Sequence, residues 1–240
     1  MLPKIEHPVY RIEVPSLGKK YSFRPFLVRE EKLLLMAKES KNPTDILSAI
    51  RQIVTNCCID KLDIDTLALF DLEYIFLQLR AHSIDNVVNV SYRDDQDDKV
   101  YDFDINLHEV KVEFPKETPE KVVEVSKTAG LIMKYPSAQL YGDKEFLETE
   151  EDHYFSLIIR CVDKVYNGEE VFEASDIPTK EMEEFLEDLS LEVFNNVQEF
   201  LVNTPKIEYK LEYQNRLGTK REIHLNTLDD FFTWRWATTT

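Results

Sequence analysis

Four side chains between Asp102 and Glu113 have the types and the spacing to hold a cation. Asp102, Asp104 and Asn106 fall at the first three ligand positions of an EF-hand loop, and Glu113 falls at its twelfth. Such a loop needs glycine at its sixth position to turn sharply, but Leu107 stands there and the flanks alternate as strands do. A solvated strand face accounts for the same carboxylates, so no metal is expected. The other reactive types are dispersed. The five glycines, Gly18, Gly130, Gly142, Gly168 and Gly218, lie too far apart for a phosphate-cradling loop or a dinucleotide fingerprint. No serine sits between two nearby glycines as in a nucleophile elbow. His7, His82, His108, His153 and His224 occur singly, without the close pairing of structural zinc ligands. Cys57 and Cys58 are adjacent, so on a helix they point about 100° apart. With Cys161 they make an odd number and read as reduced helix residues, not a disulfide framework. No catalytic residue and no cofactor is expected. The alternative is a soluble cytoplasmic enzyme using clustered carboxylates on a small substrate or metal. It would need a concave apolar pocket in which acids from Asp102, Asp104 or the segment around 66–82 converge.

The charge balance narrows the partners. Against 29 basic residues stand 46 acidic ones, giving a net charge of −17 and a pI near 4.7. Duplex binding requires clustered Lys and Arg to displace counterions, so nucleic acid is not an expected partner. The acidity serves solubility and resistance to self-association, or complements basic faces of partner proteins. No run approaches the ~20 apolar residues that span a bilayer, and MLPKIEHPVY lacks the apolar core of a signal peptide, so the chain is expected in the cytoplasm, without a membrane partner.

Elements follow from periodicity. Tyr10, Ile12 and Val14 alternate, Pro15 to Gly18 turns, and Lys20 to Phe23 returns, which predicts a hairpin. Pro25 cannot donate to a ladder and holds Arg24 extended, so the strand ends there. Leu27, Leu34, Leu35 and Met36-Ala37 then recur as one side of a helix, with Arg29, Glu30, Glu31 and Lys32 beginning a charged outer face. A second helix is expected over about 44–59 with Thr44 as its cap, and a third over about 66–82 burying Leu69, Leu72, Ile75, Phe76 and Leu79. Strict alternation from Asn86 to Phe114, interrupted by the acidic turn Asp94 to Asp98, predicts two long strands with Tyr101, Phe103, Ile105 and Leu107 on one face. That acidic turn is expected to be an exposed loop. Further helices are expected from near Glu120, over about 148–166 and over about 180–201. The last of these carries an apolar stripe from Met182 to Leu201 that reads as core packing. A terminal hairpin turns at Asn215 to Gly218. The fold class is α+β, helical clusters combined with antiparallel β-hairpins. Two sub-domains are expected: 1–115, with the first hairpin, three helices and the long acidic hairpin, and 116–240, with the C-terminal helices, terminal hairpin and aromatic tail.

Two helical blocks carry a resemblance. RPFLVREEKLLLMAKES at Arg24 to Ser40 and FDLEYIFLQLRAHSI at Phe70 to Ile84 resemble the baseplate hub assembly family of T-even-type, contractile-tailed bacteriophages. The flanking order is similar too: LPKIEHPVYRIEVPSLGKKY before them, YDFDINLHEVKV between, and PKIEYKLEYQNRLGTKREIHL near the end. The resemblance implies a non-enzymatic late viral protein that forms part of the tail baseplate hub or helps to assemble it. It further implies other baseplate hub proteins as partners, several copies in a symmetric assembly, and a place in the host cytoplasm during assembly and in the virion. A general acidic adaptor unrelated to phage would differ only in its partners.

For a protein that works by contact, the interface candidates are Phe23, Arg24, Pro25, Phe26, Arg29 and Glu30, because an arginine beside aromatic and proline side chains suits a buried anchor. Arg24 has a simpler reading, a local ion pair with Glu30, Glu31, Asp71 or Glu73. The second candidate is Phe231, Phe232, Trp234 and Trp236, four aromatics within six residues that either cover the domain's own core or dock in a neighbour's groove.

Overall fold

The computed structural model describes residues 5–115, 121–143, 146–147 and 153–231, apart from the Pro43 side chain. The chain begins with the expected hairpin, β1 (Tyr10–Val14) against β2 (Lys19–Phe23), in register from Tyr10↔Phe23 to Val14↔Lys19. Gly18 closes its turn at φ 60°, a conformation that costs glycine little. Three helices follow: α1 (Val28–Glu39), α2 (Pro43–Cys57) and α3 (Leu69–Ser83). The cap of α2 is Asn42 instead of Thr44. Its side chain accepts the Thr44 N–H at 3.1 Å, and Pro43 takes the first helical position, where no N–H is needed.

Helix α3 is buried nearly all round, through Phe70, Leu72, Ile75, Phe76, Leu77, Leu79 and Ala81 and also through Asp71 and Gln78. Its polar residues are tied in. Asp71 accepts the N–H and hydroxyl of Ser16 from the first hairpin at 2.9 and 2.5 Å, and Gln78 donates to the Leu107 carbonyl at 2.9 Å. Tyr10 stacks on His82 with ring centroids 4.2 Å apart.

The next hairpin is β3 (Val87–Arg93) with β4 (Val100–Asn106). Val88, Val90 and Ile105 point inward, whereas Asp102 accepts a hydrogen bond from Ser91 at 2.6 Å and Asp104 one from Asn89 at 3.1 Å, both across the strand pair. The EF-hand spacing thus lies on a strand face. The chain then makes a single 3-10 turn at Leu107–Glu109 and a short strand, β5 (Lys111–Glu113).

From Phe114 the chain enters a second unit. Helix was expected from near Glu120, but the structure has β6 (Val122–Glu124), β7 (Ala129–Met133), α4 (His153–Arg160), β8 (Val162–Asn167) and β9 (Glu170–Glu173). The strands form one antiparallel sheet in the order β6-β7-β8-β9. β-branched Val122, Val123, Val162 and Val165 favour the pleated conformation once neighbouring strands are available, which local helix spacing does not reveal. Residues 148–152 of the helix expected over 148–166 lie outside the described residues. Its later part ends at Arg160, where β8 takes over. The helix expected over 180–201 is two, α5 (Thr179–Glu187) and α6 (Leu191–Val202), divided by Asp188 to Ser190. Ser190 restarts it by accepting the Val193 N–H at 3.3 Å. The Met182 to Leu201 stripe does pack as core: Met182, Leu186, Val197, Phe200 and Leu201 are buried with Leu131, Met133, Ile158 and Val162.

The chain returns through β10 (Lys206–Gln214), β11 (Lys220–Leu225) and a last turn of helix, α7 (Leu228–Phe231). Besides its hairpin partner, β10 pairs antiparallel with β5, matching Ile207 to Val112. That pairing assigns the terminal hairpin to the first unit. The described residues group into one unit from 5–64, 70–113 and 206–231 and another from Asp65–Leu69 and the described part of 114–205. The fold is α+β, built from helices and several small antiparallel sheets. All three cysteines are free. Cys57 ends α2, Cys58 is already extended, and Cys161 follows α4, so only the first of the expected helix cysteines is helical.

Candidate functional site

The corner between β2 and α1 is assembled from three directions. The last carbonyls of α2 need donors, and the Arg24 N–H supplies one to Cys57 at 2.9 Å while Phe23 bridges to Cys58. Phe23 and Pro25 are buried, and Phe26 packs on Phe76 with centroids 5.7 Å apart while its N–H reaches the Ser83 hydroxyl at 2.8 Å. Inside this corner sits Glu30, only 1% exposed. Its carboxylate accepts the Arg24 guanidinium through both oxygens at 2.8 and 3.1 Å, the Leu27 N–H at 3.0 Å and the Arg29 Nε at 3.0 Å. Arg24 also donates to the Pro25 carbonyl at 3.0 Å. Burial pushes the Glu30 pKa upward, but the hydrogen bonds from Arg24, Leu27 and Arg29 outweigh it and hold the group at about 2. Arg24 is shifted up by its bond to Glu30, against its own burial. Burial also raises the neighbouring Cys57 thiol to about 12, leaving it an inert packing group.

Of the two readings of Arg24, the geometry is that of the local ion pair, and Glu30 is the partner. Glu30 therefore does not begin the charged outer face of α1. The inner line of α1 is Glu30 with Ala37, and residues expected inside face solvent: Leu35 is 49% exposed and Met36 66%, with Val28 at 78%. The signal that could have revealed this is the spacing of Arg24 and Glu30 across the Pro25 bend. Arg29 is the corner candidate whose side chain stays exposed, at 66%.

Phe231 is buried and lines a groove of about 380 Å³ beside α1, with Leu34, Leu35, Val87 and Val88 among its walls. Phe231 thus serves the unit's own packing. Phe232, Trp234 and Trp236 lie outside the described residues.

The family model described as T4 bacteriophage base plate protein matches residues 7–233. The chain belongs to that family. No curated protein matches the chain, and no solved structure does. Membership makes it a T4-type base plate protein. No helix among the described residues is long and apolar enough to cross a membrane.

In this base plate protein the acidic turn is exposed at Asp95, Gln96 and Asp98, as expected, but Asp94 is not. Asp94 is fully buried and accepts from the Tyr213 hydroxyl, from the N–H groups of Gln96 and Asp97 at 2.7 and 3.3 Å, and lies 3.3 Å from Arg221 Nε. Asp95 pairs with the same arginine. Asp97 takes the Tyr101 hydroxyl at 2.6 Å and the Arg216 N–H at 3.1 Å, and Gln96 accepts from Asn215 at 3.1 Å. Two hairpin turns far apart in the chain are clasped, over an aromatic group in which Tyr213 meets Tyr101 and Phe103 at centroid distances of 5.0 and 5.2 Å. The bond from Tyr213 is the main reason the Asp94 pKa is lowered; burial and the same bond raise Tyr213 to about 12. The acidic turn finds basic partners within the protein itself, Arg221 at Asp94 and Asp95 and Arg93 at Asp98.

Proposed function

We propose that this base plate protein is a non-enzymatic hub subunit or hub assembly factor that acts by presenting preformed faces to other baseplate hub proteins, in several copies, during assembly in the host cytoplasm. The observation that carries this reading is the outer face of α1: apolar side chains left in water on a helix anchored from behind by a buried, fully hydrogen-bonded ion pair. A rigid helix with exposed apolar side chains is suited to docking, since little ordering accompanies contact. Within the corner, Arg29 is proposed as a contact residue, while Phe23, Arg24, Pro25, Phe26 and Glu30 hold the helix that presents it. The reading is tested by expressing a tagged chain in infected cells and analysing the proteins recovered with it. Recovery of baseplate hub proteins is expected, and recovery of no tail protein overturns it. Mass analysis of purified particles separates the two roles, since a hub subunit remains in the particle and an assembly factor does not.

A further inference from the structure

Independently of the base plate reading, we propose that Tyr10, His82 and His108 form an acid-sensitive latch, closed while both imidazoles are neutral and opened when both carry protons. The three rings stand in a row and come from three elements of the first unit: Tyr10 opens β1, His82 lies in the last turn of α3, and His108 sits in the 3-10 turn at Leu107–Glu109. Tyr10 and His82 stack at 8° with centroids 4.2 Å apart, and the His82 and His108 centroids are 4.7 Å apart. His108 is held from behind. Its Nδ1 lies 3.2 Å from Oε1 of the buried Gln78, whose Nε2 donates to the Leu107 carbonyl, so Nδ1 carries the hydrogen and Nε2 is left to take a proton.

Imidazoles gain their protons between about pH 5 and 8, and this pair has no acid of its own. Among the described residues, burial first and then His108 push the His82 pKa below its ordinary 6.5, and no carboxylate pulls it back. The charged groups around the row are engaged elsewhere. In the turn, Glu109 accepts from Asn106 at 3.0 Å and bonds to Tyr209 of β10. At the end of α3, Arg80 is matched by Glu31 and Asp85, and Asp85 also accepts the Val87 N–H at 3.0 Å. In the first hairpin, Arg11 and Glu13 occupy the exposed face of β1, opposite Tyr10, and Glu13 lies 4.0 Å from Lys20. A tyrosine ring favours a single imidazolium, but two imidazoliums in contact repel. The pair, not His82 alone, is what makes the row acid-labile. Because the folded-state pKa of His82 is depressed, its contribution is fully present above 6.5 and is lost as pH falls through the lower folded value, a window separate from that of Glu30 at about 2. Opening frees the Tyr10 end of the first hairpin, while Ser16 at the turn end stays bonded to Asp71.

The test is an NMR titration of the full chain across roughly pH 8 to 5, the range in which imidazoles titrate, on wild type, His82→Phe and His108→Gln. In the wild type the His82 ring is expected to titrate below 6.5. The through-space contact between the Tyr10 and His82 rings should weaken severalfold at the acid end, with the Ile12–Tyr21 contact across β1 and β2 unchanged. His108→Gln should raise the His82 midpoint and preserve the ring contact in acid. His82→Phe keeps a ring over Tyr10 with no proton to gain, and should preserve it too. Thermal melting at the neutral end checks that each variant is folded; should either fail, the other variant and the wild-type titration decide. The proposal is overturned by a His82 midpoint at or above 6.5, by a Tyr10–His82 contact undiminished in acid, or by equal loss of that contact in a folded variant. Joint loss of the Ile12–Tyr21 contact also overturns it, because the hairpin as a whole would then be unfolding.

Discussion

Glu30 has its charge stabilised where burial alone would suppress it. Removing one partner tests how much rests on the pair. Arg24→Ala leaves the carboxylate enclosed with only the Leu27 and Arg29 donors, and is expected to destabilise the first unit by about 3 kcal/mol in denaturant unfolding. If the arginine acts only through the fold, loss of partner binding should parallel this loss of stability. The pH dependence has a defined sign. The folded-state pKa of Glu30 is depressed to about 2, so its contribution is fully present above the ordinary glutamate range near 4.5 and is lost as pH falls toward 2. A shift of this size corresponds to roughly 3 kcal/mol. Urea midpoints between pH 5 and 2 should fall steeply in the wild type and less in Glu30→Gln. The thiols give a simpler check. Cys57 and Cys161 are buried with pKa values raised to about 12, whereas Cys58 is partly exposed. A thiol reagent should label Cys58 first in the native protein, and label all three only after unfolding.

At the scale of elements, the clasp between the acidic turn and the terminal hairpin is a tertiary contact made by polar groups. Tyr213→Phe removes its central hydroxyl while keeping the ring in the aromatic group, and should cost about 1–2 kcal/mol. Hydrogen exchange at Gln96 and Asp97 should quicken in the same variant. In the second unit Gly130 allows two strands to meet. A Cβ there would lie 2.6 Å from the Val123 carbonyl and would also strike the Tyr166 hydroxyl. Gly130→Ala should therefore lower the melting temperature of that unit more than a surface substitution does, since backbone must move to admit the methyl group. These elements also show which features could be read from the chain beforehand. Hairpins with strict alternation and a glycine turn, such as Tyr10 to Phe23 and Ile207 to Leu225, are legible because turn chemistry and side-chain period agree. The second-unit sheet was not, because its strands are short and its order depends on partners distant in sequence. The facing of the corner residues is not legible in the sequence, because one buried ion pair turns Glu30 inward while Leu35 and Met36 face out.

The whole molecule is a unit interrupted by another. Apart from Asp65–Leu69, which also groups with the second unit, the chain leaves the first unit at β5 and returns at β10, and these two strands pair, with Glu113 opposite Lys206. Facing residues of an antiparallel pair lie about 5 Å apart, so a few glycines can join them. Replacing residues 114–205 with such a linker is expected to leave a folded first unit that melts cooperatively. Loss of its near-ultraviolet dichroism would show that it cannot stand without the insert. The same connectivity bears on synthesis. When a ribosome has made the first 200 residues, the inserted unit has most of its chain available, while β5 still waits for its neighbour and Asp94 for Tyr213 and Arg221. The inserted unit is thus placed to mature first, and the host unit is completed only as the last stretch emerges. Prematurely terminated chains would leave β5 with an open edge and Asp94 without its long-range donors, making them prime substrates for host proteases.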